Sequence, residues 1–426
     1  MRSFEERLKE IWQDEQKTAG VSGAFADALG LLSLPYGGAV AARNRLYDEG
    51  LLKQEKLPCP VISVGNLTVG GTGKTPTVIF MAHLLRDHGY RPAVLSRGYG
   101  GSANAPVNVV SGGNQILMGW REAGDEPILI ARAAPGIPVL TGSRRLLTGR
   151  AAVETFGADV LILDDAFQHR SLFRDIDIVL LDAARPFGNG FLLPRGPLRE
   201  PPDSLRRADI LLRTGDAENV EPLWEAAPMP SEDRECPSTS SGRTDAGAVS
   251  KGLRTAWFDR LAMNGVPFVL SLSKDKLRAN GCGSGIEGPS FRAIHKPQGL
   301  VTGGAKQVEA VTALQGKKVF AFAGIGFPEA FRRTLTGLGA AVVGFQVFPD
   351  HHPYDLSDIE ALRRSAEKSG AAWIVTTEKD GIRLADFPDF LAALFLLRIA
   401  MEITPAGPFS ELVSARLADR KGKDIG

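Results

Sequence analysis

The run TVGGTGKT, from Thr68 to Thr75, constrains the fold of this chain more than any other feature. It follows a short β-branched run ending in glycine, LPCPVISVG at Leu57 to Gly65. It precedes TPTVIFMAHLLRDHG at Thr75 to Gly89, whose apolar residues recur at helical spacing and which stops at a glycine. A strand, a glycine-rich turn and a helix in that order make a phosphate-binding loop. Gly70, Gly71 and Gly73 admit conformations that turn backbone N–H groups toward phosphate oxygens. The helix presents its positive end to the same anion. Val69 and Thr72 complete the cradle, Lys74 reaches for the β- and γ-phosphates, and the Thr75 hydroxyl is placed to ligate Mg²⁺. The usual pattern opens on glycine, whereas Thr68 holds that position here.

The rest of the pattern is α/β. RPAVLS at Arg91 to Ser96, DVLIL at Asp159 to Leu163 and IDIVLL at Ile176 to Leu181 read as further buried strands. Strands alternating with helices predict a mainly parallel sheet, with ligands gathered at the strands' carboxyl ends. A second α/β stretch begins near Lys317, with KKVFAFAG, a helix through PEAFRRTLTGLG, then AAVVGFQVF and AWIVTT. The expected fold is therefore a P-loop type, mainly parallel sheet flanked by helices, carrying a smaller C-terminal α/β lobe. The expected division is 1–55 as an N-terminal helical segment, 56–229 as the P-loop core, 230–289 as an insertion or linker, and 290–426 as the C-terminal lobe. The 230–289 stretch is rich in Ser, Gly and Arg and holds one compact apolar patch, Val266 to Leu272.

Phosphoryl transfer needs a metal, a charge clamp and a group that readies the attacking oxygen. Asp164 and Asp165 follow the apolar run VLIL and so stand at a strand's carboxyl end, as a metal-binding carboxylate or as part of a solvated turn. Asp125 and Glu126 lie in AGDEP, read from the residues alone as a helix-start cap or a catalytic pair. His351 and His352 stand in FPDHHPY, where a histidine orients or relieves a carboxylate base or serves only structure.

Composition narrows the partners. Lys and Arg number 50 against 49 Asp and Glu, so the overall charge predicts no nucleic-acid partner. The three cysteines, Cys59, Cys236 and Cys282, lack CxxC spacing and suit a reducing cytoplasm. The first residues, MRSFEERLKEIWQDEQK, are too acidic and polar for a signal peptide. The charge-free run Ala28 to Ala42 falls short of the roughly 20 residues that span a bilayer, and Pro35, Gly37 and Gly38 are expected to interrupt it. With Arg43 and Arg45 behind it, the run reads equally as an interfacial segment or a buried packing helix.

Eight stretches in order bear a specific resemblance. They are PVISVGNLTVGGTGKTP (60–76), LSRGYGG (95–101), AGDEP (123–127), LILDDAFQHR (161–170), FLLPRGPLREP (191–201), AFAGIG (321–326), FPDHHPY (348–354) and TTEKD (376–380). Together they resemble the tetraacyldisaccharide 4′-kinase family, the lipid A 4′-kinases of Gram-negative bacteria. The resemblance implies transfer of the ATP γ-phosphate to the 4′-hydroxyl of a tetraacylated glucosamine disaccharide 1-phosphate, giving lipid IVA. It implies that Asp125 pairs with His351 to activate that hydroxyl, and that Glu126, Thr75, Asp164 and Asp165 hold Mg²⁺. Arg199 and Glu200 in LREP would stand near the nucleotide and substrate phosphates. It also implies that the N-terminal helix enters the membrane surface, placing the chain peripherally at the cytoplasmic face of the inner membrane with no obligate protein partner.

GGTGKT also resembles the P-loop of ATPases that switch partner proteins or position cargo on membranes. Such proteins need no acceptor hydroxyl and have little use for a base aimed at a sugar. Deleting residues 231–288 is expected to preserve phosphotransfer; complete loss of turnover in a deletion variant that still folds would give the segment a role.

Overall fold

The computed structural model describes residues 8, 11, 12, 21–215, 289–303 and 308–423. Of the stretch 230–289 expected as an insertion, residues 230–288, with the Val266–Leu272 patch, lie outside the described residues.

The strand before the phosphate loop, β1 (Val61–Asn66), is buried along its whole length, as a central parallel strand covered on both faces must be. It pairs in parallel with β5 (Val160–Asp164) on one side and β6 (Ile176–Asp182) on the other. β2 (Pro92–Ser96), β4 (Val139–Thr141) and the antiparallel β3 (Asn108–Ser111) extend the sheet beyond β5. Beyond β6 come β7 (Ile210–Thr214) and β8 (Ser290–Thr302), with β9 (Val308–Glu309) paired to β8. β13 (Leu394–Thr404) lies antiparallel to β8 over ten paired positions and leads into β12 (Trp373–Thr377), β10 (Lys318–Ala323) and β11 (Ala341–Val347), all parallel. One sheet thus runs from β3 to β11, and the long β8–β13 pair, which the sequence pattern did not reveal, joins its two halves.

Helices cover the sheet: α2 (Lys74–Asp87) after β1, the short α3 (Trp120–Ala123) leading into α4 (Asp125–Ala133), and α5 (Arg145–Phe156). In the C-terminal half are α6 (Pro328–Gly337), α7 (Leu356–Lys368), α8 (Glu378–Arg383), α9 (Pro388–Ala392) and α10 (Ala406–Lys423). Val78, Met81, Ala82 and Leu85 of α2 recur at helical spacing and are buried on the sheet.

The N-terminal helix corrects one expectation. Helix α1 (Val21–Asp48) runs unbroken through Pro35 for 28 residues, and Phe25–Asp48 is long and apolar enough to cross a membrane. A proline inside a helix costs about 3 kcal/mol, and contacts on both sides offset it here. The Ser33 hydroxyl lies 3.0 Å from the Leu192 carbonyl, Tyr36 donates to the Arg199 carbonyl at 2.9 Å, and Arg43 is paired with Glu200. The opposite side leaves Leu31, Leu32 and Leu34 at 70%, 59% and 50% exposure.

Gly65 is the closest backbone approach at the sheet's centre. A Cβ there would sit 2.7 Å from the Phe167 Cβ and 2.8 Å from its amide nitrogen. Gly65→Ala is therefore expected to destabilise the protein by about 1–3 kcal/mol and lower its thermal midpoint; a wild-type midpoint would show that the 165–167 turn yields freely.

Candidate active site

The phosphate loop leaves β1 and closes at the start of α2. Gly70 (φ +126°) and Gly73 (φ +89°) hold positive-φ conformations that L side chains rarely adopt. Asn66 donates to the Thr72 hydroxyl at 2.8 Å and pins the loop to the end of its strand. Lys74 folds back over it, donating to the Gly70 carbonyl at 3.3 Å with Asp165 Oδ1 3.8 Å away. The threonine at position 68 has a structural reason. Thr68 bridges Leu198 in antiparallel fashion, and the Val69 N–H donates to the Pro197 carbonyl at 2.8 Å. Thr68 is thus extended, a state that suits a β-branched residue and needs no glycine.

Beside the loop, β5 ends in the two aspartates, in register with Val64 opposite Asp164. Asp164 is buried, and one carboxyl oxygen accepts from the Ser96 hydroxyl at 3.2 Å. The other, Oδ1, has no hydrogen-bond partner among the described residues. Burial, with the charges of Glu126 and Asp165 adding to it, pushes the Asp164 carboxyl up to about 7. Asp165 behaves oppositely. Burial would raise it, but Lys74 and Arg199 outweigh that and hold it below the usual carboxylate range. Arg199 Nη1 lies 2.8 and 2.9 Å from its two oxygens.

The structure brings Asp125 and His351 together across 226 residues of sequence, with His351 Nδ1 at 3.0 Å from both Asp125 oxygens. Asp125 opens α4 and is buried; His351 sits in the turn after β11 at φ +60°. Gly326, in the preceding loop, approaches both the Asp350 carboxylate and the Gly71 amide, each 3.4 Å from where its Cβ would be. The pair therefore adjoins the phosphate loop.

A hydrogen bond and two cations keep Asp125 charged. Burial alone would raise its carboxyl, but the His351 hydrogen bond, Lys379 and Arg383 outweigh it and lower it. Arg383 is 1% exposed and donates to Asp125 at 3.2 Å and to the Gly324 carbonyl at 2.8 Å. Arg383 is in turn paired with the buried Asp380, which also accepts from Tyr354 at 2.8 Å and from the Gly324 amide at 3.0 Å. Lys379 donates to Glu126 at 3.3 Å and meets His351 Nε2 at 3.2 Å. An ammonium donating to Nε2 leaves the imidazole proton on Nδ1, where it reaches Asp125.

Lys379, Asp380 and Arg383 carried no role in the sequence reading. TTEKD was visible as a motif, yet nothing local shows that a fully buried arginine three residues later turns toward an aspartate from the other half of the sheet. Arg199, expected near bound phosphate, lies against Asp165. Glu200 is the correction. Its carboxylate is fully buried and paired with Arg43 and Arg207, leaving it no position on a phosphate, and its negative charge would repel one.

Among the described residues no three His, Cys, Asp or Glu side chains form a ready-made metal cage. Mg²⁺ does not ask for one, since it takes one or two protein carboxylates and fills its shell with water and phosphate. Asp164, with an unpaired buried oxygen and two acidic neighbours, fits such an ion, and the Thr75 hydroxyl opens the adjacent helix.

A family model described as LpxK, tetraacyldisaccharide-1-P 4′-kinase, matches residues 25–418. The chain is 49% identical to the tetraacyldisaccharide 4′-kinase of Syntrophus aciditrophicus (strain SB) over 417 residues, covering 97% of this chain and 99% of that relative. It is 42% identical to the tetraacyldisaccharide 4′-kinase of Anaeromyxobacter dehalogenans (strain 2CP-C) over 378 residues, 88% of this chain and 86% of that one. Its structure matches the crystal structure of LpxK from Aquifex aeolicus in complex with ATP at a TM-score of 0.64 and 29% identity, over 92% of this chain and 99% of that one. The chain belongs to the tetraacyldisaccharide-1-P 4′-kinase family and is a P-loop phosphotransferase.

Proposed function

We infer that the chain transfers the γ-phosphate of ATP to the 4′-hydroxyl of a tetraacylated glucosamine disaccharide 1-phosphate, giving lipid IVA in lipid A biosynthesis. The observation that carries the residue assignment is the Asp125–His351 contact at 3.0 Å beside the phosphate loop. A switch ATPase has no need of that pair.

The phosphate loop, residues 68–75, binds the nucleotide, with Lys74 on its terminal phosphates and Arg199 beside them. Asp164 and Thr75 are the residues that would hold Mg²⁺, with Asp165 and Glu126 behind them. When bound, Mg²⁺ neutralises charge on the transferring phosphoryl group. Asp125 accepts the sugar hydroxyl's proton while His351 and Arg383 fix its carboxylate; such a base contributes roughly 10²–10⁴-fold. The charged state of Asp125 matters, because a protonated carboxyl has no capacity to take that proton. Helix α1 turns Leu31, Leu32 and Leu34 outward, which supports peripheral attachment at the cytoplasmic face of the inner membrane, where an acylated substrate resides.

The test is ATP-dependent phosphorylation of a monophosphorylated tetraacyl disaccharide, with the product's new phosphate mapped. ATP hydrolysis that is equal with and without acceptor would favour the switch ATPase. In that assay Asp125→Asn and His351→Ala are each expected to lower kcat by about 10²–10⁴-fold with ATP affinity nearly intact, and wild-type turnover in either variant would remove that residue from the mechanism. Because Asp164 is raised to about 7, a proton competes with the cation below that pH. Apparent Mg²⁺ affinity, measured by titration in the presence of ATP, is expected to climb with pH and level off above about 7, with Asp164→Asn abolishing the climb.

A further inference from the structure

Helix α1 carries more than an outward apolar surface. Ser33, Tyr36, Arg43, Asn44 and Asp48 fall within about 140° of one another around the helix and so share one side. That face grips three segments of the catalytic half. Ser33 meets the 192–195 turn, accepting from the Arg195 amide at 3.2 Å. The Asn44 backbone carbonyl and the Asp48 carboxylate accept from Arg170 at 3.0 and 2.7 Å. Tyr36 and Arg43 meet Arg199 and Glu200, the consecutive residues whose side chains diverge.

The Arg199 side chain reaches Asp165, which also lies near the P-loop lysine. Its backbone is clamped at both ends. The amide donates to the Leu67 carbonyl at 2.7 Å, immediately before the phosphate loop, and the carbonyl accepts from the Tyr36 hydroxyl at 2.9 Å. One residue on, Glu200 is fully buried between Arg43 of the helix and Arg207. An unpaired buried carboxylate is costly, so the Arg43–Glu200 pair ties the helix to this backbone.

We propose that the inward face of α1, through Tyr36 and Arg43, positions Arg199 against Asp165, so that the helix facing the lipid also sets the competence of the nucleotide site. Tyr36 and Arg43 are positioning residues that touch no substrate, and their effect passes through the Arg199 backbone. The inference rests on the kinase reading above.

The experiment compares wild type, Tyr36→Phe and Arg43→Met in the lipid phosphorylation assay. Flotation on phosphatidylethanolamine–phosphatidylglycerol vesicles and amide hydrogen exchange are measured on the same full-length proteins. Both variants are expected to lower kcat about tenfold with KM for ATP and for lipid within about twofold. Vesicle binding stays at the wild-type level, and protection of the Arg199 amide falls about tenfold while the α1 amides keep theirs. Wild-type kcat in both variants would overturn the proposal. So would a rise in lipid KM or a loss of vesicle binding proportional to the lost activity, since the helix would then act by capture alone. Exchange at Arg199 needs no acceptor. Should wild type itself fail to phosphorylate the disaccharide, the kinase reading fails, while unchanged Arg199 protection in both variants would independently overturn the clamp.

Discussion

The parallel pairing of β1 with β5 fixes the geometry on which the site depends. With Val64 opposite Asp164, both strands deliver their carboxyl ends to one place, one as a glycine-rich loop and the other as two aspartates. Gly65 lets the turn after those aspartates lie directly on β1, because any side chain there would collide with Phe167. Lys74 then lies 3.8 Å from Asp165.

Around that junction, charge is balanced unevenly. Asp165 has Lys74 and Arg199; Asp125 has His351, Lys379 and Arg383; Glu126 has Lys379. Asp164 is raised, with one oxygen unpaired among the described residues. A buried carboxylate with no ion pair is an unstable arrangement by itself and a suitable one for a divalent cation arriving with a nucleotide.

The two halves of the chain contribute unequal kinds of groups. The first supplies the phosphate loop and the acids, and the second supplies His351, Lys379 and Arg383. The antiparallel β8–β13 pair holds both halves in one sheet, so that an aspartate at the start of α4 meets a histidine 226 residues later. Glu200, which follows Arg199 in sequence, faces the other way and fastens α1 instead.

Local chemistry made much of this legible before any coordinates. The loop at 68–75 could be read because strand, glycines, lysine and helix are contiguous, and the strands Val61–Asn66, Pro92–Ser96 and Val160–Asp164 because buried parallel strands are short apolar runs. Asp125, His351 and the acidic pair stand out from their local pattern, at a helix start, after a strand and at a strand's carboxyl end, and only the resemblance gave them a pairing and roles. Sequence alone gave no reason for the threonine at 68, for an unbroken helix through Pro35, for the inward turn of Glu200, or for the buried Arg383–Asp380–Tyr354 network. Each of those depends on a partner far away in the chain. Local propensity records what a residue prefers among its neighbours in sequence, and only the folded sheet decides which distant charge or carbonyl it meets.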